Sequence, residues 1–383
     1  MGRLDKLPPY LFSAIDAAKA RAAAKGVAVV DLGVGDPDLP TPQALVDVMS
    51  AAVADAANHC YPAQRGSLAL REAIAAWLKV RHGVTVDPAT EVLVLIGSKE
   101  GLGHLPLSCV EEGDNTLVPD LGYPVYGQAT LLAGGQPRPF ALRAETGYLP
   151  DLDEIAGLMD DRSKLLFLNY PHNPTGSVAP REFWDAMVDL CTARGVTLIN
   201  DAAYLEVTPG GVPETSLLAV ADHRRHRVIE LHSLSKMFNM TGWRVGFAVG
   251  NAEIIAKLAR VKESIDSGAF TAIQEVATFA LARMADELLG EVMKVYPERR
   301  RLIITALKKA GLEVFPTQAT FYVWARVPQG ESSMEFSARV LREQGVVVTP
   351  GVGFGPGGEG WFRISLTAPD ERIAEAAGRL EAL

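Results

Sequence analysis

The chain has 383 residues, 48% of them hydrophobic and 22% charged, an ordinary globular composition with enough length for two domains. Its 37 basic and 46 acidic residues leave a formal charge of −9, which argues against nucleic acid as a partner but leaves a local anion site open. Three distant cysteines, Cys60, Cys109 and Cys191, give neither a disulfide framework nor a CxxC metal site, and no run approaches about 18 uncharged apolar residues, so a cytoplasmic, membrane-free protein is expected.

In chain order, EVLVLI (Glu91–Ile96) predicts a buried strand and the next residues, from about Lys99 to Val110, a helix. NTLVP predicts a second strand, followed by helix around Val125–Ala133. KLLFLN (Lys164–Asn169) predicts a third strand, PREFWDAMVDLCTARG a helix, and VTLIN (Val196–Asn200) a fourth strand. RVIEL (Arg227–Leu231) and WRVGFAVG (Trp243–Gly250) are two more. Short apolar strands alternating with helices predict an α/β domain with a mostly parallel sheet between helical layers. Beyond about residue 280 the spacing predicts a long charged helix to about Ala310. Strands follow at LEVFP, TFYVWARV, VVVTP and WFRISL, a smaller α+β domain with which the segment up to about Pro42 packs. The expected division is 43–280 against 1–42 with 281–383.

Ligands of open α/β sheets gather beyond the C-terminal strand ends, and the sequence is richest in chemistry there. The first strand runs into Gly97-Ser98-Lys99-Glu100, a glycine turn opening a helix, which is an anion cradle or a plain turn. The third runs into Asn169-Tyr170-Pro171-His172-Asn173-Pro174-Thr175-Gly176, a rigid turn that would present the Asn173 amide. The fourth ends at Asp201 with Tyr204 close behind; a carboxylate there needs a cation, or is a helix cap. The fifth runs into Ser233-Leu234-Ser235-Lys236, with Arg244 eight residues on. A lysine held near apolar surface has a depressed pKa and bonds carbonyls. Together these groups are what pyridoxal 5′-phosphate needs: donors for a phosphate, a carboxylate for a ring nitrogen and an amine for an aldehyde.

NPTG, Asp-x-x-Tyr, Ser-x-Ser-Lys with a following arginine, and FRIS resemble the class I aminotransferases of the fold-type I pyridoxal-phosphate enzymes over nearly the whole chain. The resemblance implies that Lys236 bonds the cofactor aldehyde and shuttles the proton. It implies that Asp201 faces the ring nitrogen, that Asn173 and Tyr204 meet the ring 3-oxygen, and that Tyr123 covers the ring. Ser98, Lys99, Ser233, Ser235 and Arg244 would hold the phosphate. Tyr61 would reach the cofactor phosphate of the partner in a homodimer with shared active sites. Arg363 would clamp the substrate carboxylate and Gly35 would contact it through its backbone.

Within the family, LPPYLF, DLGVGDPDLPTP and LIGSKEGLGHLPL are most similar to the LL-diaminopimelate aminotransferase branch. That branch transfers amino groups with glutamate and 2-oxoglutarate in lysine biosynthesis. There Tyr10 would close over substrate, and Ser267 stands where an asparagine often reaches the substrate from the other subunit. His172 departs from a common asparagine and is expected only to support its turn. Aspartate, alanine, aromatic and N-succinyl-diaminopimelate aminotransferases stay open, as does a C–S β-lyase. A dehydrogenase reading of the GxGxxG at Gly353–Gly358 fails because a strand follows it and Pro356 lies inside it. His223 and His226 lack a third ligand, so no metal is expected. No room remains for the DNA-binding domain of a transcription regulator.

Overall fold

The computed structural model describes residues 4–7, 19–21, 24, 26–208, 214–283, 285–317 and 319–383. Its strands are β1 (Val30–Asp31), β2 (Val92–Leu95), β3 (Asn115–Pro119), β4 (Gln136–Phe140), β5 (Ser163–Leu168) and β6 (Thr197–Asp201). Then come β7 (Val228–Ser233), β8 (Gly246–Gly250), β9 (Tyr322–Arg326), β10 (Val346–Val347), β11 (Thr349–Pro350) and β12 (Trp361–Ser365).

Seven strands form the main sheet in the order β2-β8-β7-β6-β5-β3-β4, parallel throughout except for β8, which runs antiparallel to both its neighbours. Side-chain alternation builds both faces. Leu93, Leu95, Leu165, Phe167, Ile199, Ile229 and Leu231 share one core with Leu102 and Leu105 of helix Ser98–Cys109 and Ile254, Ile255 and Leu258 of helix Ala252–Ile265. Val92, Val94, Leu166, Leu168, Leu198 and Val228 point the other way, onto Ile74, Trp77, Trp184 and Met187. A sheet buried on both faces is read as continuous apolar runs, which is how these strands appear in the sequence.

A second core lies around the antiparallel sheet β11-β12-β9, with β1 paired in parallel to β10. Val30 and Leu32 join Ile303, Phe321, Phe336, Phe362 and Ile373 there. Arg299 fastens the same N-terminal stretch: it contacts Asp38 and Asp370 at 2.6 Å each and donates to the Leu366 carbonyl oxygen at 2.9 Å. The α/β domain with a smaller α+β unit is thus as expected. Leu288 and Leu289 pack into the first core, whereas Val292 and Met293 pack into the second.

Several elements differ from the sequence expectation. The long helix up to Ala310 is broken into Thr271–Arg283, Ala285–Met293 and Tyr296–Lys309, the last starting with Pro297 in its first turn, where a missing N–H is harmless. The strand expected from Trp243 starts at Gly246, because Thr241–Trp243 is a 3-10 turn and Arg244 is left-handed at φ 58°. VVVTP splits into β10 and β11, which serve different sheets, and LEVFP contributes only a bridge at Val314. The unforeseen β4, QPRPF, pairs only with β3; its two prolines are tolerated at the edge of the sheet.

Phe336 is fully buried in the second core, its ring centre 4.6 Å from that of Phe362 with the two rings tilted. Phe336→Ala is expected to cost about 3–5 kcal/mol, read from urea denaturation followed by tryptophan fluorescence. A loss below about 1 kcal/mol would show that the second core does not depend on this contact.

Candidate active site

One cavity of about 510 Å³ lies between the two cores, and four strand ends and the start of a fifth open into it. The C-terminal ends of β2, β5, β6 and β7 deliver Ser98 and Lys99, Asn173, Asp201 and Ser233 to Lys236. Because β8 is antiparallel, it begins at the edge where its neighbours end, and Arg244 stands just before it. This places Arg244 against the cradle: a Cβ on Gly97 would lie 2.4 Å from the Arg244 guanidinium and would displace it, and the φ of 78° favours glycine there.

Lys236 follows β7 on the short helix Leu234–Met237, capped by the Ser233 hydroxyl, which accepts from the Ser235 N–H. Its ammonium donates to the Gly35 carbonyl oxygen at 2.8 Å. Burial depresses its pKa to about 8; Arg363 and Arg244 push the same way and Asp36 opposes. Gly35 has no room for a side chain, since a Cβ there would lie 2.0 Å from the Tyr322 hydroxyl.

Asp201 is buried at the end of β6. Its Oδ2 accepts from the Tyr126 hydroxyl at 2.8 Å, while Oδ1 makes no hydrogen bond of good geometry. Burial raises its pKa to about 6, against the pull of Tyr126 and the Ala203 N–H. A carboxylate with an orphaned oxygen facing a cavity calls for a cationic N–H.

Arg363 in β12 is 3% exposed. It donates to Asn173 Oδ1 at 2.8 Å and to the Gly33 carbonyl oxygen at 2.7 Å. Its guanidinium lies 4.1 Å from the Tyr322 ring centre and 4.6 Å from that of Phe354, a cation–π sandwich, and its Nε has no partner. Since arginine only donates, Asn173 must present its oxygen to Arg363 and is left with its NH2 as a donor.

The fit to pyridoxal 5′-phosphate follows from the donor set. Ser98, Lys99, Ser233, Ser235 and Arg244 concentrate hydroxyls and cations at a helix start, suited to a phosphate. The unpaired Asp201 oxygen suits a protonated ring nitrogen, and the depressed Lys236 amine suits an aldehyde. Tyr123 lines the cavity, its ring edge-on to Tyr126 at 6.1 Å.

Tyr204 also lines the cavity. The Tyr204 hydroxyl is buried and bonded to the Tyr322 hydroxyl at 2.8 Å. Tyr61 and Ser267 do not line the cavity; Tyr61 is 90% exposed, and the neighbouring Gly268 approaches Pro62 so closely that a Cβ would lie 3.2 Å from it. Tyr10 lies outside the described residues. His172 is buried between Thr175 and the Leu121 carbonyl oxygen, and burial lowers its pKa to about 4, so it is a neutral prop of its turn. Tyr126, Tyr322, Phe354 and Asn169 were not foreseen. Tyr126 stands in the same GYPVY as Tyr123 but meets Asp201 outside the cavity lining, and Tyr322 is the aromatic of TFYVWARV that lines it.

Residues 27–380 match the family model described as aminotransferase class I and II. LL-diaminopimelate aminotransferase of Nitratidesulfovibrio vulgaris (strain DP4) is 49% identical over 381 residues, covering 100% of this chain and 98% of the relative. The enzyme of that name from Aquifex aeolicus is 46% identical, with the same coverage. Among solved structures, substrate-bound BacF from Bacillus subtilis superimposes with a TM-score of 0.91 at 35% identity, covering 99% of this chain and 96% of that one. An aromatic aminotransferase from Pyrococcus horikoshii OT3 gives 0.87 at 31%, covering 95% and 98%. With its cavity, strand ends and nearly full-length match in agreement, the chain belongs to the class I and II aminotransferases.

Proposed function

We propose that this aminotransferase acts on LL-diaminopimelate with 2-oxoglutarate as the amino acceptor, using pyridoxal 5′-phosphate held by the residues above. The buried Lys236 amine, facing an orphaned carboxylate across a cation-rich cavity, carries the cofactor reading. The relatives of that name, aligned end to end at 46–49% identity, support the substrate reading. The structural likeness to an aromatic aminotransferase keeps that substrate class as the second reading.

When bound, the cofactor supplies a carbonyl that bonds amines and a ring that accepts the electron pair released from the substrate α-carbon. Lys236 would hold that carbonyl through its amine and would carry the proton taken from the substrate α-carbon. Asp201 would hold the ring nitrogen protonated. Asn173 donates its NH2 to the ring 3-oxygen, and Tyr204, kept protonated by burial, shares that role through the hydroxyl pair with Tyr322. Ser98, Lys99, Ser233, Ser235 and Arg244 fix the phosphate, and Tyr123 covers the ring. Arg363 grips the α-carboxylate with Gly35 alongside, so the Cα–H bond is oriented before it breaks.

The assembly proposed is a homodimer. Tyr61 at 90% exposure, Ile265 at 55% and Phe270 at 37% are large apolar groups set in and beside two touching loops, suited to a second copy. In it Tyr61 and Ser267 would serve the partner's cavity. Tyr10 is assigned to closure over substrate. The domain division is kept at 43–280 against 1–42 with 281–383, although the first core also takes in Leu288, Leu289, Trp324, Phe354 and Trp361 from beyond it.

Covalent uptake of pyridoxal 5′-phosphate by the cofactor-free protein needs the neutral amine. With Lys236 at a pKa of about 8, the rate should rise about tenfold per pH unit below that value and level off above it. Borohydride trapping and mass spectrometry measure this; trapping in Lys236→Ala would refute the assignment. Arg363→Lys loses the two-pronged grip and should raise KM for amino and oxo acid alike by about 100-fold, worth about 3 kcal/mol. A KM within about threefold of wild type would remove Arg363 from the substrate site. A panel pairing 2-oxoglutarate with LL-diaminopimelate, aspartate, alanine and aromatic amino acids tests the substrate. LL-diaminopimelate should give the highest kcat/KM, and an aromatic preference would establish the second reading.

A further inference from the structure

Asn169, the first residue beyond β5, is 3% exposed and reaches two elements of the site at once. Its Oδ1 accepts from the Asn173 N–H at 2.9 Å, and its Nδ2 donates to the Asp201 carbonyl oxygen at 2.5 Å. The partners fix the amide's orientation, since a peptide N–H only donates and a carbonyl only accepts. One side chain therefore joins the turn after β5 to the end of β6. Continued outward, the chain of contacts is Arg363–Asn173–Asn169–Asp201–Tyr126.

We propose that Asn169 is a positioning residue that sets Asn173 and Asp201 at a fixed spacing, so that the substrate-gripping arginine and the ring-facing carboxylate are held as one rigid unit. The inference rests on the cofactor reading above. Both ends of the splint need it. The residues from Asn173 to Gly176 contain a proline and leave the Asn173 N–H without a strand partner, and the Asp201 carbonyl lies where β6 stops. An Asp201 oxygen left free for a ring nitrogen is useful only if its backbone cannot drift, because a misplacement of about 1 Å can cost about 100-fold in rate.

Asn200 supplies an internal control. It is fully buried on the neighbouring residue of β6, accepts from the Tyr170 N–H at 3.0 Å and donates to the Tyr170 carbonyl at 3.3 Å. It braces the same turn from the side opposite Asp201 and does not line the cavity.

The test compares Asn169→Ala and Asn200→Ala as holoenzymes with wild type, following the pH titration of the bound cofactor's visible absorption. If Asp201 is loosened, the ring nitrogen carries less positive charge, and a second proton on the cofactor is held more tightly. The midpoint of Asn169→Ala should rise by about one pH unit or more, and kcat should fall at least about tenfold. Asn200→Ala should lose thermal stability without that spectral shift. If Asn169→Ala yields no soluble protein, Asn169→Leu carries the same test, because it fills the same space and removes both hydrogen bonds without adding a charge. A midpoint and kcat unchanged in the Asn169 variant, whatever its stability, or an equal shift in Asn200→Ala, overturns the proposal. Failure of the cofactor reading itself is distinguishable: the wild type would then show no visible cofactor band at all.

Discussion

Buried charge is the constraint on which this structure depends. Removing an ion from water costs several kcal/mol unless something answers it. Away from the cavity, two buried charges are met by the protein itself. Lys262, 1% exposed, lies 3.0 Å from Glu100 and 2.7 Å from Asp266. Glu230, fully buried, accepts from Ser216, the Leu217 N–H and Asn200 and lies 2.9 Å from His232. At the cavity the answers stop short. Asp201 keeps an unbonded oxygen, Arg363 an unbonded nitrogen, and Lys236 donates to a carbonyl rather than a carboxylate. A ligand that is anionic at one end and cationic at its ring would complete these pairings.

The sheet topology turns that constraint into a site. Parallel strands all end at one edge, so their terminal residues converge without any one loop reaching far. The antiparallel β8 adds to the same edge from its opposite terminus. Its entry through a left-handed Arg244 swings a guanidinium onto the glycine cradle that closes β2. The Lys262 pairing stands directly behind. Glu100, which Lys262 holds, accepts the Ile96 N–H at 2.5 Å, so a buried ion pair fixes the residue before the cradle. Glu100, His104 and Asp266 offer atoms within 4.8 Å of one another, as a metal site would, yet the Lys262 ammonium already bridges the two carboxylates.

Much of this was legible in the sequence because strand ends carry distinctive residue types at fixed places. Lys236, Asp201, Asn173 and Arg244 each follow an apolar run or stand beside one, and the runs alternate onto two cores as their composition implies. What was not legible depends on contacts between distant segments. Tyr322 and Tyr126 are ordinary aromatics of apolar stretches until Gly35 and Asp201 are seen against them. Asn169 reads as the polar end of a strand until the turn folds back upon it. The single long helix beyond residue 280 was a misreading of a different kind, since charged helical periodicity continues through Lys294–Val295 although the backbone turns there.

The glycine run at 353–358 shows how a motif can be necessary for reasons unrelated to its usual meaning. A Cβ on Gly355 would lie 2.2 Å from the Asp120 carbonyl oxygen, one on Gly357 2.5 Å from the Asp120 carboxylate, and one on Gly358 2.1 Å from the Gly351 carbonyl. The loop packs backbone to backbone against the turn before Tyr123, where the Gly122 N–H donates to the Phe354 carbonyl at 2.8 Å and the Gly357 N–H to the Asp120 carbonyl at 3.1 Å. Side chains there would lift the loop away from Asp120. Phe354 would move with it, and Arg363 would lose one face of its aromatic sandwich. The glycines that imitate a dinucleotide fingerprint are thus required for the geometry of the cavity: they let this loop press onto the turn before Tyr123 closely enough to hold Phe354 against the Arg363 guanidinium.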